Sequence, residues 1–239
     1  MARPPPAMDV MASQPLDTSG AVVRLPELQP DNLSMRVFES IQSAIKDKSL
    51  PPGRRVTEAD LAAQLNVSKT PVREAFIKLR QIGLLEPDGR RAWRVIQLTR
   101  PTIDDACEVR EALEVSAARA AAERATVEQR SSIMQAAERS LEAARAGDNA
   151  VFRSWDDRFH RAVADASENT RLKGLIDDTL VLIATLRMRD LPHRQASIEC
   201  AQAHVEIAEA IAGSSTSAAG EAMRAHVQQV KEYTFGDIE

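Results

Sequence analysis

The sequence has little of what marks secreted, membrane-spanning or disulfide-built proteins. Only two cysteines, Cys107 and Cys200, occur in 239 residues, which excludes a disulfide framework and predicts a reducing, cytoplasmic location. No apolar run approaches the roughly 20 residues that a membrane helix needs, so no membrane partner is expected. The first residues also lack the charged and then apolar pattern of a signal peptide.

The beginning of the chain also lacks the residues that build a core. Residues 1–30 are rich in proline and small polar residues, a composition that predicts a flexible tail. In the whole chain, apolar residues make up 44% and charged residues 28%. At this length the composition is sufficient for two modest domains, predicted at residues 31–99 and 100–239.

The net charge of −4 hides an uneven distribution of charge along the chain. Residues 31–100 contain 13 basic and 8 acidic residues, whereas residues 101–239 contain 16 basic and 24 acidic residues. A basic module is therefore joined to an acidic one, which favours nucleic-acid binding by the first module. Many solvated protein faces are charged as unevenly, so the asymmetry alone does not decide the function.

Residues 31–99 show the pattern of a small helical module that ends in a hairpin. A first helix is predicted from apolar residues at helical spacing, at Leu33, Val37, Ile41 and Ile45. Thr57 is expected to cap a second helix, and Ser68 a third helix after a turn at 66–67. Two short helices, a tight turn and a further capped helix are the ingredients of a helix-turn-helix.

The predicted hairpin follows the third helix and would complete a winged helix. Its strands are expected at 84–86 and 93–96, joined by the two-residue turn signal at 88–89. Polar and basic residues would then lie outward on the third helix and the hairpin tip, where such residues meet base edges and phosphates. The alternative is a structural three-helix module with a solvated basic face.

The segment LPPGRRVTEADLAAQLNVSKTPVREAFIKLRQIGLLEP, residues 50–87, resembles the N-terminal domain of the GntR family of bacterial transcription regulators. The resemblance implies that this module contacts double-stranded operator DNA through the third helix, with support from the second helix and the wing. The residues expected at the DNA are Arg54, Arg55, Ser68, Lys69, Thr70, Arg73, Arg90 and Arg91.

Three positions depart from the family pattern. Lys69 stands where arginine is usual, and lysine lacks the bidentate fork that reads guanine. Ala59 occupies a position that is often arginine. In the wing, Ala92 replaces a glycine and Trp93 replaces a small residue, which affects the conformation of the wing tip. These departures predict a standard fold with a non-standard operator.

Residues 100–239 have no strand pattern and few glycines, and they predict an antiparallel bundle of six or seven helices. Thr102 is expected to cap a helix at 103–124, whose apolar stripe would comprise Ala106, Val109, Leu113 and Ala117. A capping box at 126–129 starts the next helix, which ends near Gly147. Further helices are predicted at 149–166, 169–189, 195–213 and 217–233.

Three of the four histidines lie within these predicted helices. Asp156 and His160 are spaced so that both side chains leave one helix face one turn apart, while His204 and His226 lie mid-helix beside apolar residues. If they converged inside the bundle, they would suit Zn²⁺, Ni²⁺ or Mn²⁺. The spacing leaves open that each histidine is bonded separately to a carbonyl. Asp157 points about 100° away around the helix, so Asp156 is preferred as the ligand.

The second half resembles the FCD ligand-binding domain of the FadR subfamily of GntR regulators, in the segments RPTIDDACEVREALEVSAARAAA, DDRFHRAVADASENTRL, AHVEIAEAI and AMRAHV. The resemblance implies a divalent transition metal, Zn²⁺ with Ni²⁺ or Mn²⁺ as alternatives, held by Asp156, His160, His204 and His226. It also implies that Arg110 faces the cavity and pairs with a small organic acid effector. The alternative for Arg110 is a surface ion pair with Glu114.

Further residues are candidates beside these ligands. Cys200, four residues before His204, is either a soft extra ligand or a small buried residue. Asn169 is expected to cap a helix. Arg187, Arg189 and His193 are further candidates for the mouth of the cavity.

Taken together, the sequence predicts a mainly α-helical, metabolite-responsive transcription regulator. It is expected to act as a repressor, to bind operator DNA as a homodimer and to sense a small carboxylate at a metal-containing pocket. Two alternatives remain at this point: a metalloenzyme, either a hydrolase or an oxygenase, and a regulator whose ligand pocket holds no metal.

Overall fold

The computed structural model describes residues 33–97, 99–186 and 194–235. The predicted tail at 1–30 and the candidates Arg187, Arg189 and His193 lie outside the described residues. Within the described ranges the chain is mainly α-helical, with a small antiparallel sheet near its beginning, which confirms the predicted fold class.

The first part of the chain folds as a winged helix. Its elements are α1 (Leu33–Lys46), β1 (Arg55–Val56), α2 (Glu58–Leu65), α3 (Lys69–Gln81), β2 (Leu85–Pro87) and β3 (Trp93–Val95). The strands form an antiparallel sheet in the order β1-β3-β2. Strand β1 was not predicted, because two residues are too few to show an alternating pattern.

Apolar residues at helical spacing bury the inner faces of α1 and α3 against each other. Val72, Phe76 and Leu79 of α3 are fully buried, as their spacing predicts. At the start of α2 the Thr57 hydroxyl accepts a hydrogen bond from the Asp60 N–H, at 3.1 Å. The outer face of α3, including its first turn, is therefore left to solvent or a partner.

The wing differs from the predicted two-residue hairpin. Its strands are joined by residues 88–92, and the Asp88 N–H donates to the Ala92 carbonyl at 2.9 Å to close this loop. The Asp88 carboxylate binds Arg94, so Asp88 anchors the sheet rather than forming the tight turn. Gly89 has a φ of +83°, which glycine adopts without strain, and Ala92 is buried outside the left-handed region.

The second part of the chain folds as a bundle of six described helices, within the predicted range. They are α4 (Arg100–Arg124), α5 (Val127–Ala146), α6 (Asn149–Ala166), α7 (Thr170–Leu186), α8 (Arg194–Ala212) and α9 (Thr216–Phe235). The capping box of Thr126 and Gln129 at the start of α5 is confirmed, and so is the Asn169 cap, which accepts a hydrogen bond from Leu172 N–H.

The start and the apolar stripe of α4 differ from the prediction. Thr99, not Thr102, caps the helix, and its hydroxyl accepts a hydrogen bond from the Thr102 N–H. The helix begins earlier because Pro101 is tolerated in a first turn, where its missing N–H has no helical partner to lose. Val109, predicted to be buried, is 53% exposed, whereas its neighbour Arg110 is buried.

Helix α4 is the central element of the bundle. It packs along α9 and against α6, α7 and α8, while α5 packs on α6 and α8. These contacts bring the middles of α4, α6, α8 and α9 together around one buried region. Helix α7 also contacts α1, and its Val181 and Leu182 pack against the core of the winged helix. Among the described helices, none combines the length and apolar content that a membrane span requires.

Candidate functional site

The predicted DNA-binding residues are all exposed on the winged helix. These eight residues are Arg54, Arg55, Ser68, Lys69, Thr70, Arg73, Arg90 and Arg91. Ser68 occupies the residue before α3 in an extended conformation, but among the described residues its side chain makes no capping hydrogen bond. Ser68 is therefore the N-cap residue of α3, as predicted, although its hydroxyl makes no capping bond, and the residue is exposed at the positive end of the α3 dipole.

A groove of about 690 Å³ separates α3 from the wing. Four of the predicted residues line it, namely Lys69, Arg73, Arg90 and Arg91, whereas Arg54, Arg55, Ser68 and Thr70 lie outside the lining. Arg80 also lines the groove and was not predicted. Because Arg80 is seven residues after Arg73, two helical turns along the same face, helical spacing offered a signal for it.

Two carboxylates in or near this groove, Glu58 and Asp88, form ion pairs with arginines. Arg73 lies 3.1 Å from Glu58, and Asp88 lies 3.2 Å from Arg55 and 2.9 Å from Arg94. The side chains of Arg73 and Arg55 are more than half exposed, so solvent screens these pairs and a phosphate can replace the carboxylate.

The unusual wing residues belong to the core rather than to the groove alone. The ring of Trp93 meets the ring of Phe76 edge to face, with centroids 5.6 Å apart, and Ala92 is buried. The bulky residue Trp93 therefore packs the wing against α3.

The second candidate site is a cluster of histidines in the interior of the bundle. His160 of α6, His204 of α8 and His226 of α9 are each at most 1% exposed, and their candidate ligand nitrogens lie within 4.8 Å of one another. Asp156 joins them, with its carboxylate oxygen Oδ1 3.5 Å from His204 Nε2 and 3.9 Å from His160 Nε2. The structure thus brings together the four predicted metal ligands.

Ser140 of α5 determines which nitrogen of His204 carries the proton. The Ser140 hydroxyl donates to the Ala137 carbonyl at 2.7 Å, so toward His204 Nδ1, at 3.1 Å, its oxygen can only accept. His204 therefore carries its proton on Nδ1 and presents the lone pair of Nε2 to Asp156. A metal-binding histidine commonly has its other nitrogen fixed in this way.

Helix α4 supplies a buried ion pair at the other side of the cluster. Arg110 Nε lies 2.5 Å from Glu114 Oε1, and both side chains are almost fully buried. The second Glu114 oxygen contacts His160 Nδ1, and Arg110 Nη2 donates to His160 Nε2 at 3.0 Å. The pair between Arg110 and Glu114 therefore exists, but it lies in the interior and not on the surface. Glu114 was not predicted as a member of the site.

These contacts set the charges in the cluster. Burial alone would raise the pKa of Glu114, but Arg110 and His160 lower it to about 2. Burial also disfavours the Arg110 cation, yet the adjacent Glu114 carboxylate raises the pKa of Arg110 above its ordinary value. Burial lowers the pKa of His204 to about 3, against the opposing effect of Asp156. At neutral pH, Glu114 and Arg110 are charged and His204 is neutral.

Two further residues, Asp157 and Cys200, lie near the cluster. Asp157 points outward, where it pairs with Arg161 at 2.7 Å, in agreement with the choice of Asp156 as the inward carboxylate. Cys200 is fully buried, 3.8 Å from Asp156 Oδ1 and 4.0 Å from His204 Nε2.

The donor set fits a divalent transition metal. Four tetrahedral donors about 2.1 Å from such an ion stand about 3.4 Å from one another. The Nε2 atoms of His160 and His226 are 3.3 Å apart, and Asp156 Oδ1 is 3.5 Å from His204 Nε2. Imidazole nitrogens with one carboxylate are also the donor types that Zn²⁺, Ni²⁺ and related ions prefer.

A winged helix with an exposed basic groove, followed by a helical bundle with a buried polar centre, defines a DNA-binding regulator with a sensing domain. Family comparison gives the same result: the description "Bacterial regulatory proteins, gntR family" matches residues 33–95, and "FCD domain" matches residues 105–229. The chain belongs to the GntR family of transcription regulators, in the subfamily with an FCD domain.

Similar proteins agree with this assignment. The chain is 34% identical to the "Probable D-xylose utilization operon transcriptional repressor" of Paenarthrobacter nicotinovorans, over 82% of this chain and 85% of that protein. It is 25% identical to the "HTH-type transcriptional repressor RspR" of Escherichia coli K12, over 85% of this chain and 89% of that protein. The solved structure of E. coli McbR/YncC has the same fold, with a TM-score of 0.69 at 21% identity, over 87% of this chain and 99% of that one.

Proposed function

We propose that this regulator is a cytoplasmic repressor that binds operator DNA as a homodimer and is released by a small carboxylate bound at a metal-containing pocket. The observation that carries the proposal is the buried centre of three histidines and one aspartate beside an arginine–glutamate pair. The two relatives from Paenarthrobacter nicotinovorans and Escherichia coli K12 are called repressors, which supports repression rather than activation.

The exposed face of the winged helix supports the DNA-binding part of the proposal. Lys69, Thr70 and Arg73 lie in the first turns of α3, the part of a recognition helix that reaches base edges. Arg90 and Arg91 on the wing would contact the adjacent backbone or minor groove, while Arg54, Arg55 and Ser68 would contact phosphates at the edge.

The buried centre supports the metal part. Asp156, His160, His204 and His226 would hold a divalent transition metal, Zn²⁺ or alternatively Ni²⁺ or Mn²⁺, which supplies a Lewis-acid position for an effector oxygen when it is bound. Ser140 and Glu114 would orient His204 and His160 through their Nδ1 atoms. Arg110 would give up its hydrogen bond to His160 Nε2 and turn to the effector.

The charges of the centre support an anionic effector. Histidines bind a metal as neutral imidazoles. In the metal-binding state Arg110 then contributes +1, while Glu114 and Asp156 each contribute −1, so the side chains of the centre sum to −1. A divalent cation changes this sum to +1, and one carboxylate would bring it to zero. Because uncompensated charge is costly in a protein interior, a monoanion is the ligand that the centre accommodates best. The Arg110 guanidinium has five N–H groups, so it can bind Glu114 and donate to an effector carboxylate at the same time.

The DNA part is tested with a duplex selected by the protein from a randomised library. We expect Arg73→Ala to weaken binding to this duplex about 10- to 100-fold and to reduce the salt dependence by about one charge, as measured by fluorescence anisotropy. The matched control is Arg139→Ala, which removes an equally exposed and paired arginine from α5 and should leave binding unchanged. Equal losses in both variants, or binding without salt dependence, would contradict the proposed face.

The sensing part is tested by a thermal-shift screen of small carboxylates against the Zn²⁺-loaded protein. An acid that raises the melting temperature should also release the selected duplex. Arg110→Lys keeps the charge but loses the planar fork, so it should weaken the response to that acid and leave DNA binding in its absence intact. An acid that binds Arg110→Lys as tightly as the native chain would exclude Arg110 from the effector site.

A further inference from the structure

We infer that Cys200, as a thiolate, is a ligand of the buried metal in the effector-free protein, which makes the site a mixed thiolate, imidazole and carboxylate centre. The inference rests on the metal centre of the proposed function and deepens it. Neither the spacing of the histidines nor the four-residue ligand set includes this cysteine. The observations that carry it are the positions of Cys200, Asp156 and His204 relative to one another.

The three side chains form a compact triangle of possible donors. Cys200 Sγ lies 3.8 Å from Asp156 Oδ1 and 4.0 Å from His204 Nε2, and those two atoms are 3.5 Å apart. A metal bound at about 2.3 Å by sulfur and about 2.1 Å by nitrogen or oxygen separates tetrahedral donors by about 3.4–3.6 Å. The triangle therefore fits a metal after a small inward movement of the sulfur.

The positions of the three residues on α6 and α8 bring their donor atoms together. Cys200 and His204 are one turn apart on α8, so both side chains leave the same face, and Asp156 faces them from α6. The bond from His204 Nδ1 to Ser140 directs the Nε2 lone pair of His204 toward Asp156 and Cys200. Both Cys200 and His204 are completely buried, so water does not compete for the position.

The second cysteine of the chain, Cys107, lies away from the histidine cluster. Cys107 lies in an apolar cluster with Ile103, Ala106 and Ile183. Cys200 has apolar neighbours as well, including Phe152 and Val230, but its sulfur also meets a carboxylate and an imidazole. Both cysteines are free and buried, and Cys200 is the one that lies within 4.0 Å of two of the proposed metal ligands, Asp156 and His204.

A thiolate also satisfies the charge balance of the centre before an effector is present. Coordination replaces the thiol proton, which leaves to solvent, and adds one negative charge beside the divalent cation. The thiolate thereby occupies the anionic position that the proposed function gives to a carboxylate. Because sulfur is a soft donor, the site should select Zn²⁺ or Co²⁺ over Mn²⁺.

The test uses Co²⁺ alone, added to the metal-free full-length protein in a buffer without carboxylates. Co²⁺ with four or five ligands gives visible d–d bands, and a thiolate ligand adds an intense charge-transfer band in the near ultraviolet. Cys107→Ser leaves Cys200 as the sole cysteine of the chain, and we expect this variant to show both sets of bands. Cys200→Ser should keep the visible bands, lose the charge-transfer band and bind Co²⁺ at least about ten-fold more weakly.

The outcomes separate this inference from the metal centre on which it rests. Visible bands without charge transfer in Cys107→Ser would overturn the role of Cys200 and leave the four-ligand centre standing. Absence of all Co²⁺ bands in the native chain would overturn the centre and the inference together. The decisive spectrum comes from Cys107→Ser, so the result does not depend on the folding of Cys200→Ser.

Discussion

The basic groove and the buried centre each contain an arginine–glutamate pair, in opposite surroundings. Arg73 and Glu58 lie 3.1 Å apart with side chains 63% and 22% exposed, whereas Arg110 and Glu114 lie 2.5 Å apart with side chains 2% and 3% exposed. Screened pairs contribute about 0–1 kcal/mol to stability, and their partners can be exchanged. A buried pair cannot lose one member without leaving an uncompensated charge in the interior.

The two arginines are held to their glutamates with different strength because their burial differs. In the groove, the pair is weak and exposed, so a phosphate of the proposed operator could replace Glu58 at Arg73 at little cost. In the bundle, strong pairing fixes Arg110 and Glu114 in position, and Glu114 in turn orients His160. Removal of one charge from each pair tests this difference.

The largest effect is expected from Glu114→Gln in the metal-free protein. The substitution keeps the shape of the side chain but leaves the Arg110 cation buried without its carboxylate. We expect the free energy of unfolding to fall by about 3–5 kcal/mol, measured by urea unfolding at pH 7.

Glu58→Gln is the matched control, since it removes the carboxylate from the exposed pair. Its loss should stay below about 1 kcal/mol, including the small contribution of a carboxylate at the start of α2. Similar losses in the two variants would mean that the two pairs do not differ in the way their burial indicates.

A smaller effect is expected when the metal-free protein is acidified. The pKa of His204 is lowered from an ordinary 6.5 to about 3 by burial, so between these values the unfolded chain binds one proton more than the folded protein. The free energy of unfolding therefore falls as pH falls, by about 1.4 kcal/mol per pH unit from this residue. Glu114, with a pKa of about 2 against 4.5, adds a further loss below pH 4.5.

Urea midpoints at pH 7, 6 and 5 measure this slope. His204→Gln should reduce it by the contribution of one proton, because glutamine does not titrate. An unchanged slope in His204→Gln would show that the acid sensitivity arises elsewhere, and a flat profile in the native chain would contradict a neutral, buried His204.

Local sequence patterns predicted most of the secondary structure. Residues such as Val72 and Phe76 are buried where their spacing places them, and the capping box at Thr126 forms as expected. Such features depend on neighbours within one or two helical turns, which the sequence contains directly. Asp156 and His160 share a helix face for the same reason.

The mispredicted burial in α4 depends on packing between elements. Helix α4 contacts several helices, so it buries residues on more than one face, and no single stripe describes it. Val109 is consequently exposed, while Arg110 and Glu114 are buried as a pair. The spacing of the histidines likewise left their convergence open, because His204 and His226 meet His160 only through the arrangement of α6, α8 and α9.

The smallest effect on stability is expected from Asp88→Asn in the wing. Asp88 pairs with Arg55 and Arg94, both of which remain partly or largely exposed, so the free energy of unfolding should change by less than about 1 kcal/mol. The same change removes a negative charge from the edge of the groove and releases Arg55. We therefore expect tighter binding to a duplex of arbitrary sequence, with a salt dependence steeper by up to about one charge.

Asp104→Asn alters the net charge equally, but at the first turns of α4, where Asp104 pairs with Lys231. If the location of Asp88 matters, fluorescence anisotropy should show tighter binding for Asp88→Asn and little change for Asp104→Asn. An equal gain in both variants would assign the effect to net charge alone. Weaker binding by Asp88→Asn would mean that this partly buried carboxylate holds Arg55 and Arg94 in place for DNA, as Glu114 holds Arg110 in the buried centre.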